Sequence, residues 1–298
     1  MAVLPNIKRA MRLAGMRPMP RWSARATVDL RGRRILLTGA SSGIGAVAAQ
    51  KLAAEGATVI CVARREALLS DVVDRIIAAG GHATFRGADL SDLEQVDDLV
   101  QAVGPVDVLI NNAARSIRRP LADSLARWHD IERVMQLNYY APLRLIRGVA
   151  PGMIERGDGH IINVATWRVL PESSPMFAAY NASKAALSAV SRVIDTEWGN
   201  QGVHSTTVYY PLVATPMIAP TRAYTGVAAL TADEAADWMV TAAKTRPIRI
   251  APRKALALRA LDVVAPRKLN GILERETNRM NARTAEVAKP APTTSISR

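Results

Sequence analysis

Six short apolar runs recur at wide spacing along the chain: RRILLTG, ATVICVA, HATFRGADL, VDVLINNAA, GHIINVAT and VHSTTVYYP. Ala-rich stretches with helical spacing, such as GIGAVAAQKLAAEG and LLSDVVDRIIAAGG, separate the early ones. A strand that is apolar along its whole length has to be covered on both faces, and a helix between successive strands supplies that cover. The pattern predicts an α/β fold, a doubly wound parallel sheet with helices on both faces. Aromatic residues make up only 4% of the chain, so the core has to be built from Ala, Val, Leu and Ile. At 298 residues and 49% hydrophobic, the chain can bury one large core.

No boundary interrupts the alternation before about residue 250, and no internal repeat is visible. We read residues 1–29 as a basic leader, partly disordered, and 30–250 as the single α/β domain. Residues 251–284 read as a C-terminal helical extension broken at Pro266, and 285–298, rich in Pro, Ser and Thr at the end, as a disordered tail. The extension can complete the core, cap a cleft or touch a membrane.

The net charge of +13 raises the question of nucleic acid. The aromatic-interleaved basic motifs of RNA binders are missing, and the four histidines and one cysteine show no metal-ligand spacing, so neither nucleic acid nor a metal is expected. Phosphate-bearing small molecules or an anionic membrane surface account for the charge equally well. The N-terminus lacks a continuous apolar stretch of the secretory kind, and no run of about twenty apolar residues occurs, which points to the cytoplasm. Lys8 to Leu13 can form a short basic helix lying on the inner face of the membrane, or the leader can stay disordered, the reading its Arg and Pro interruptions favour. Cys61 sits inside an apolar strand and reads as a small core residue.

TGASSGIG, from Thr38 to Gly45, closes the first strand and opens the first helix. In that context the motif marks a Rossmann-like dinucleotide site formed by Thr38, Gly39, Ser41, Ser42, Gly43, Ile44 and Gly45. Gly39 permits the tight turn, Gly43 the approach of a pyrophosphate and Gly45 close helix packing, while the helix N-terminus offers free N–H groups. The second strand ends in Arg64 and Arg65 where an NAD-binding chain would carry an acid, so NADP(H) is the expected cofactor. Tyr180 and Lys184 stand one turn apart in YNASK, a spacing that places an ammonium beside a phenol.

Taken in order, TGASSGIG, Asp89 in GADL, NNAA from Asn111, Asn138 in MQLNYY, YNASK and the Pro211–Thr215 run resemble the short-chain dehydrogenases/reductases over about residues 30–250. The resemblance implies that Asp89 and Leu90 flank the adenine, that Asn111 and Ala113 line a ribose, and that Pro211, Val213 and Thr215 meet the nicotinamide end. It also implies catalysis by Tyr180, Lys184 and Asn138, the last holding a water beside Lys184, with Lys184 gripping the nicotinamide ribose. Thr166 occupies the position of the family's serine, with Ser173 and Ser174 as alternatives; NNAA replaces the usual NNAG, and Pro211-Leu212 the usual Pro-Gly. The loop from Thr166 to Tyr180 is one residue longer than the common pattern.

The stretches around RSIRR, at 115–119, and TPMIAPT, at 215–221, are similar to those of bacterial NADPH-dependent fatty acyl-CoA reductases. That likeness implies a long-chain acyl-CoA as substrate, with Arg115, Arg118 and Arg119 in reach of its phosphates or else serving helix starts and subunit contacts. The alternatives are a ketone, aldehyde or secondary alcohol as substrate, or a cofactor-binding protein without catalysis. Family members usually pair through helices, so a homodimer or homotetramer is expected.

Overall fold

The computed structural model describes residues 15–18, 27–219, 221–224 and 226–288. Seven parallel strands form one sheet in the order β3-β2-β1-β4-β5-β6-β7. They are β1 (Arg34–Thr38), β2 (Thr58–Ala63), β3 (His82–Gly87), β4 (Val108–Asn111), β5 (Gly159–Thr166), β6 (Val203–Tyr210) and β7 (Arg249–Ile250). Each of the six apolar runs forms a strand. The seventh, only two residues long, carries no pattern to read. All eight residues of β5 are buried, as its central place in a doubly covered sheet requires.

One face of the sheet packs against α1 (Gly43–Ala54), α2 (Glu66–Ala78) and α8 (Ala232–Thr245), through residues such as Leu52, Val72 and Met239. The other face is covered by α3 (Leu93–Val103), α6 (Ala141–Glu155) and α7 (Ala178–Glu197), with Leu99, Leu145 and Ile194 inward. Two short helices, α4 (Leu121–Leu125) and α5 (Trp128–Met135), link β4 to a π-helical turn at Gln136–Tyr140 that runs directly into α6. Leu37 of β1 lies between Cys61 of β2 and Ile110 of β4. The chain leaves β1 in opposite directions toward β2 and β4, and a crevice therefore opens at the C-terminal ends of these strands.

The C-terminal extension is two helices, α9 (Arg253–Val264) and α10 (Pro266–Ala288), broken as the proline predicts. It adds Ala255, Leu269 and Leu273 to the buried set. Helix α10 continues to Ala288, so residues 285–288 are helical where a disordered tail was expected. Part of the leader is held in place: Pro18 forms an antiparallel bridge with Pro252, and the Arg253 and Lys254 amides donate to the carbonyls of Arg17 (3.2 Å) and Gly15 (3.1 Å). The expectations for Lys8–Leu13 and for residues 289–298 lie outside the described residues. Among the described residues no helix is long and apolar enough to cross a membrane.

Candidate active site

The crevice is a cleft of ≈ 460 Å³, within the range of about 300–1,000 Å³ usual for ligand sites. Its floor is the turn between β1 and α1. Gly39, at φ +69°, faces Ala113 so closely that a Cβ there would stand 2.9 Å from the Ala113 Cα. A Cβ on Gly45 would come within 2.2 Å of the Gly39 carbonyl, which is why the helix can start this close to the strand. The first turn of α1 has neither an acidic residue nor a side-chain cap from Ser42, so its N–H groups and positive dipole end stay open to an anion. This cradle fits a pyrophosphate and would be filled by any larger side chain.

At the far end of β2 the Arg65 guanidinium donates to the Ser42 hydroxyl (3.2 Å) and the Ser41 hydroxyl (3.4 Å), and Arg64 stands 3.7 Å from Asp89. Both arginines are exposed and line the cleft. Glu66, the nearest acid in sequence, packs against Gly87, where a Cβ would stand 2.0 Å from its carboxylate oxygen, and it is absent from the cleft wall. The adenine end is thus a cationic pocket with two hydroxyls, suited to a 2′-phosphate.

Midway along the cleft, β5 and α7 bring Thr166, Tyr180 and Lys184 to one wall. Lys184 is 1% exposed and donates to the Val164 carbonyl at 2.8 Å. Burial draws its ammonium down to about 7. Burial also pushes the Tyr180 phenol up to about 12, with Tyr224 acting in the same direction and Arg168 opposing it. At neutral pH Tyr180 is therefore a protonated donor. The Thr166 hydroxyl accepts the Arg168 amide at 3.4 Å, which occupies an acceptor position and leaves its O–H free to donate.

The short chain dehydrogenase family profile matches residues 33–225. The chain belongs to that family. A fatty acyl-CoA reductase of Mycobacterium tuberculosis is 64% identical over 90% of this chain and 95% of its own length. A fatty acyl-CoA reductase of Acinetobacter baylyi is 45% identical, covering 82% of this chain and 84% of its own. Among solved structures, a short-chain dehydrogenase from Sphingobium yanoikuyae in complex with NADPH superposes with TM-score 0.69 at 27% identity, over 81% of this chain and 95% of that one.

Most residues singled out in the sequence of this short-chain dehydrogenase meet at the cleft: Gly39, Ser41, Ser42, Gly43, Ile44, Gly45, Arg64, Arg65, Asp89, Leu90, Ala113, Pro211, Val213 and Thr215 all stand on its wall. Three do not. Thr38 is buried beneath it, where its hydroxyl donates to the Ile110 carbonyl (3.2 Å) and accepts the amides of Asn112 (2.9 Å) and Ala113 (3.0 Å). Asn111 is buried too and donates to the Asn163 side chain at 2.9 Å. These two residues shape the turn that the cofactor would touch. Asn112, next to Asn111, lines the cleft while donating to the Thr38 carbonyl at 2.9 Å.

Asn138 is the third. Its amide hydrogens go to the Arg115 carbonyl (2.9 Å) and the Ser183 hydroxyl (3.0 Å), and its oxygen accepts the Arg115 amide (2.8 Å). A fully buried side chain so engaged staples the Arg115 backbone to α7. Ser183 in turn donates to the Tyr180 carbonyl at 2.8 Å, so the staple reaches the first turn of α7.

Of the three hydroxyls the sequence offered, Thr166 lines the cleft and Ser173 and Ser174 do not. The long loop turns through Glu172 and Met176, at φ 50° and 71°, and the Arg119 amide holds the Met176 carbonyl at 2.7 Å. Of the arginines expected to meet phosphates, Arg119 is bound to buried Asp130 together with Arg127 and Arg133, and this holds the Asp130 carboxyl far below its usual range. Arg115 contributes its backbone to Asn138, and only Arg118 of the three lines the cleft, with one nitrogen on Asn281 of α10 at 2.5 Å. Cys61 is buried on β2, its thiol pushed up to about 12 by burial, and it is not part of the wall.

Sequence reading missed several residues of the cleft. Trp167, Arg168, Phe177, Met217, Tyr224, Glu276 and Met280 line it as well, and Gly15 and Met16 of the leader join them. The similarity of the 115–119 and 215–221 runs to acyl-CoA reductases, and the reading of the C-terminal helices as able to cap a cleft, were the signals pointing there.

Proposed function

We propose that this short-chain dehydrogenase is an NADPH-dependent reductase that takes a long-chain fatty acyl-CoA thioester to the fatty aldehyde and releases CoA. The observation that carries this reading is one cleft with a phosphate-reading cradle at one end, a hydroxyl pair in the middle and an apolar wall of Trp167, Phe177, Met217 and Met280 at the other. The two relatives named fatty acyl-CoA reductase support the substrate class. Bound NADPH would supply hydride. The open N-terminus of α1 would hold its pyrophosphate, Arg64 and Arg65 its 2′-phosphate, and Lys184 its nicotinamide ribose.

The protein's own part is to hold and protonate the acyl oxygen. Tyr180 and Thr166 donate to that oxygen as it gains charge. Tyr180, protonated at neutral pH, can give its proton when the oxygen needs one. Asn138 and Ser183 position the turn that carries Tyr180. With Cys61 off the wall, the reaction runs without an acyl-enzyme at that residue. The assay is NADPH oxidation with palmitoyl-CoA, with free CoA thiol followed in parallel. Matched loss and release supports the reading; turnover of ketones or alcohols alone would replace it. We also place the protein in the cytoplasm at the inner face of the membrane, as a homodimer or homotetramer.

Two further results are expected at this site. Replacing both Arg64 and Arg65 by Ala weakens NADPH binding about a hundredfold and NADH binding by less than about threefold, as loss of charge-assisted bonds to one phosphate requires. Fluorescence titration with both cofactors measures it, and an equal loss for the two would remove the 2′-phosphate clamp. Thr166→Ala lowers kcat about a hundredfold, while Thr166→Ser stays within about threefold. An unimpaired alanine variant would return the role to a serine of the loop.

A further inference from the structure

Arg168 follows Thr166 by two residues, in the 3₁₀ turn Trp167–Val169. Its guanidinium lies over the Trp167 ring at 5.5 Å and over the Phe177 ring at 5.1 Å, and Phe177 meets the Tyr180 ring edge-on with centroids 6.3 Å apart. The side chain lines the cleft beside Thr166 and Tyr180. Among the described residues its guanidinium has no carboxylate partner and donates no hydrogen bond. Other arginines at the edges of the fold behave differently: Arg33 and Arg246 share Asp158, and Arg144 holds Asp97. Two aromatic faces fix a guanidinium in place without cancelling its charge. A cation so placed, with its fork of donors free, is suited to an anion that comes with the substrate or forms from it.

Three anions belong to an acyl-CoA reduction. The CoA phosphates lie at the far end of the pantetheine arm, many bonds from the thioester carbon, whereas Arg168 shares a wall with the two hydroxyls that serve that carbon. The acyl oxyanion already has Tyr180 and Thr166. The third is the departing thiolate, and the nearby Lys184 Nζ is turned to the Val164 carbonyl beneath the wall. Resting on the acyl-CoA reading above, we propose that Arg168 is a catalytic residue that stabilises the CoA thiolate as the C–S bond breaks.

Hydride delivered to the thioester carbon moves the C=O π pair onto oxygen, giving the hemithioacetal oxyanion. Tyr180 lends its proton to that oxygen and takes it back as the oxygen pair re-forms the carbonyl, and the C–S pair leaves on sulfur beside the Arg168 guanidinium. The acyl group is reduced to the aldehyde, NADPH is oxidised to NADP⁺, and the thiolate takes a proton from solvent after release.

The test uses the full-length protein and a series of palmitoyl thioesters: CoA, N-acetylcysteamine and para-substituted thiophenols of graded acidity. Arg168→Gln is expected to lose on the order of a hundredfold in kcat with the two alkyl thioesters. With the most acidic thiophenol, which needs little help to leave, the loss shrinks to less than about fivefold, so the dependence on thiol acidity steepens relative to the parent. NADPH affinity stays unchanged. Arg168→Lys, which keeps the charge, falls between the two and serves if the glutamine variant does not fold. A loss equal for every leaving thiol, or no loss at all, overturns the thiolate role; the equal loss would mean that Arg168 acts through Tyr180 or through packing. A parent protein inert on all the thioesters but active on ketones would instead overturn the acyl-CoA reading itself.

Discussion

Replacing Tyr180 by Phe is expected to lower kcat/KM with acyl-CoA by about a thousandfold or more, while NADPH binds within about twofold of the parent. The phenol has two tasks in the proposed reaction. As a proton donor it is worth about 10²–10⁴-fold, and as one of two donors to the developing oxyanion about 10²–10³-fold. One hydroxyl performs both, so the losses overlap and do not multiply. The fold should be indifferent to the change, because the Tyr180 hydroxyl has no hydrogen-bond partner among the described residues and its removal orphans nothing. The ring stays against Phe177. Steady-state kinetics and a cofactor titration on the same preparation separate the two effects. Activity within about tenfold of the parent would end the proton-donor assignment, and loss of NADPH affinity would show that the ring, not the hydroxyl, is what the site needs.

The parts of this site that were legible in the sequence are those where one residue type is forced by local geometry. Gly39 and Gly45 could be read because a turn that brings a helix start within reach of its own strand excludes a Cβ. The strands could be read because a doubly covered sheet demands apolar residues at every position, as β5 shows. Thr38, Asn111 and Asn138 were placed in the right neighbourhood, and their side chains are bound within the fold. A polar residue beside a ligand and a polar residue that holds the ligand's loop look alike in sequence; only the hydrogen-bond partners separate them. The substrate wall was illegible for a different reason. Met16, Phe177, Tyr224 and Met280 are distant in sequence and meet only because α10 and the 15–18 segment close over the cleft. Nor does any pattern announce the two-residue β7 or the π-helical turn that sets Asn138 inward. Burial, and with it every shifted pKa at the site, is a property of the assembled cleft.

Lys184 shows what that burial costs. Its ammonium is drawn from 10.5 to about 7, because the folded chain has taken it out of water and given it only the Val164 carbonyl in exchange. Between about pH 7 and about pH 10.5 the unfolded chain therefore holds a proton here that the folded chain has released, so stability rises with pH across that window; below it, the full penalty applies. Lys184→Met removes the penalty and keeps the apolar stem. It also takes a donor from a buried carbonyl, which returns about 1–3 kcal/mol of the gain. The cofactor-free variant is expected to be about 2 kcal/mol more stable than the parent at pH 7, a rise in Tm of about 4 °C, with the difference closing as pH approaches the upper end of the window. Its kcat/KM should fall by about a thousandfold, because the charge that would hold the ribose and favour proton release from Tyr180 is gone. Melting curves of both proteins at several pH values give the answer. A variant less stable than the parent at pH 7, by a margin that does not change with pH, would mean that Lys184 holds the fold together. The expected result means that the protein carries a buried cation for its chemistry at the expense of its stability.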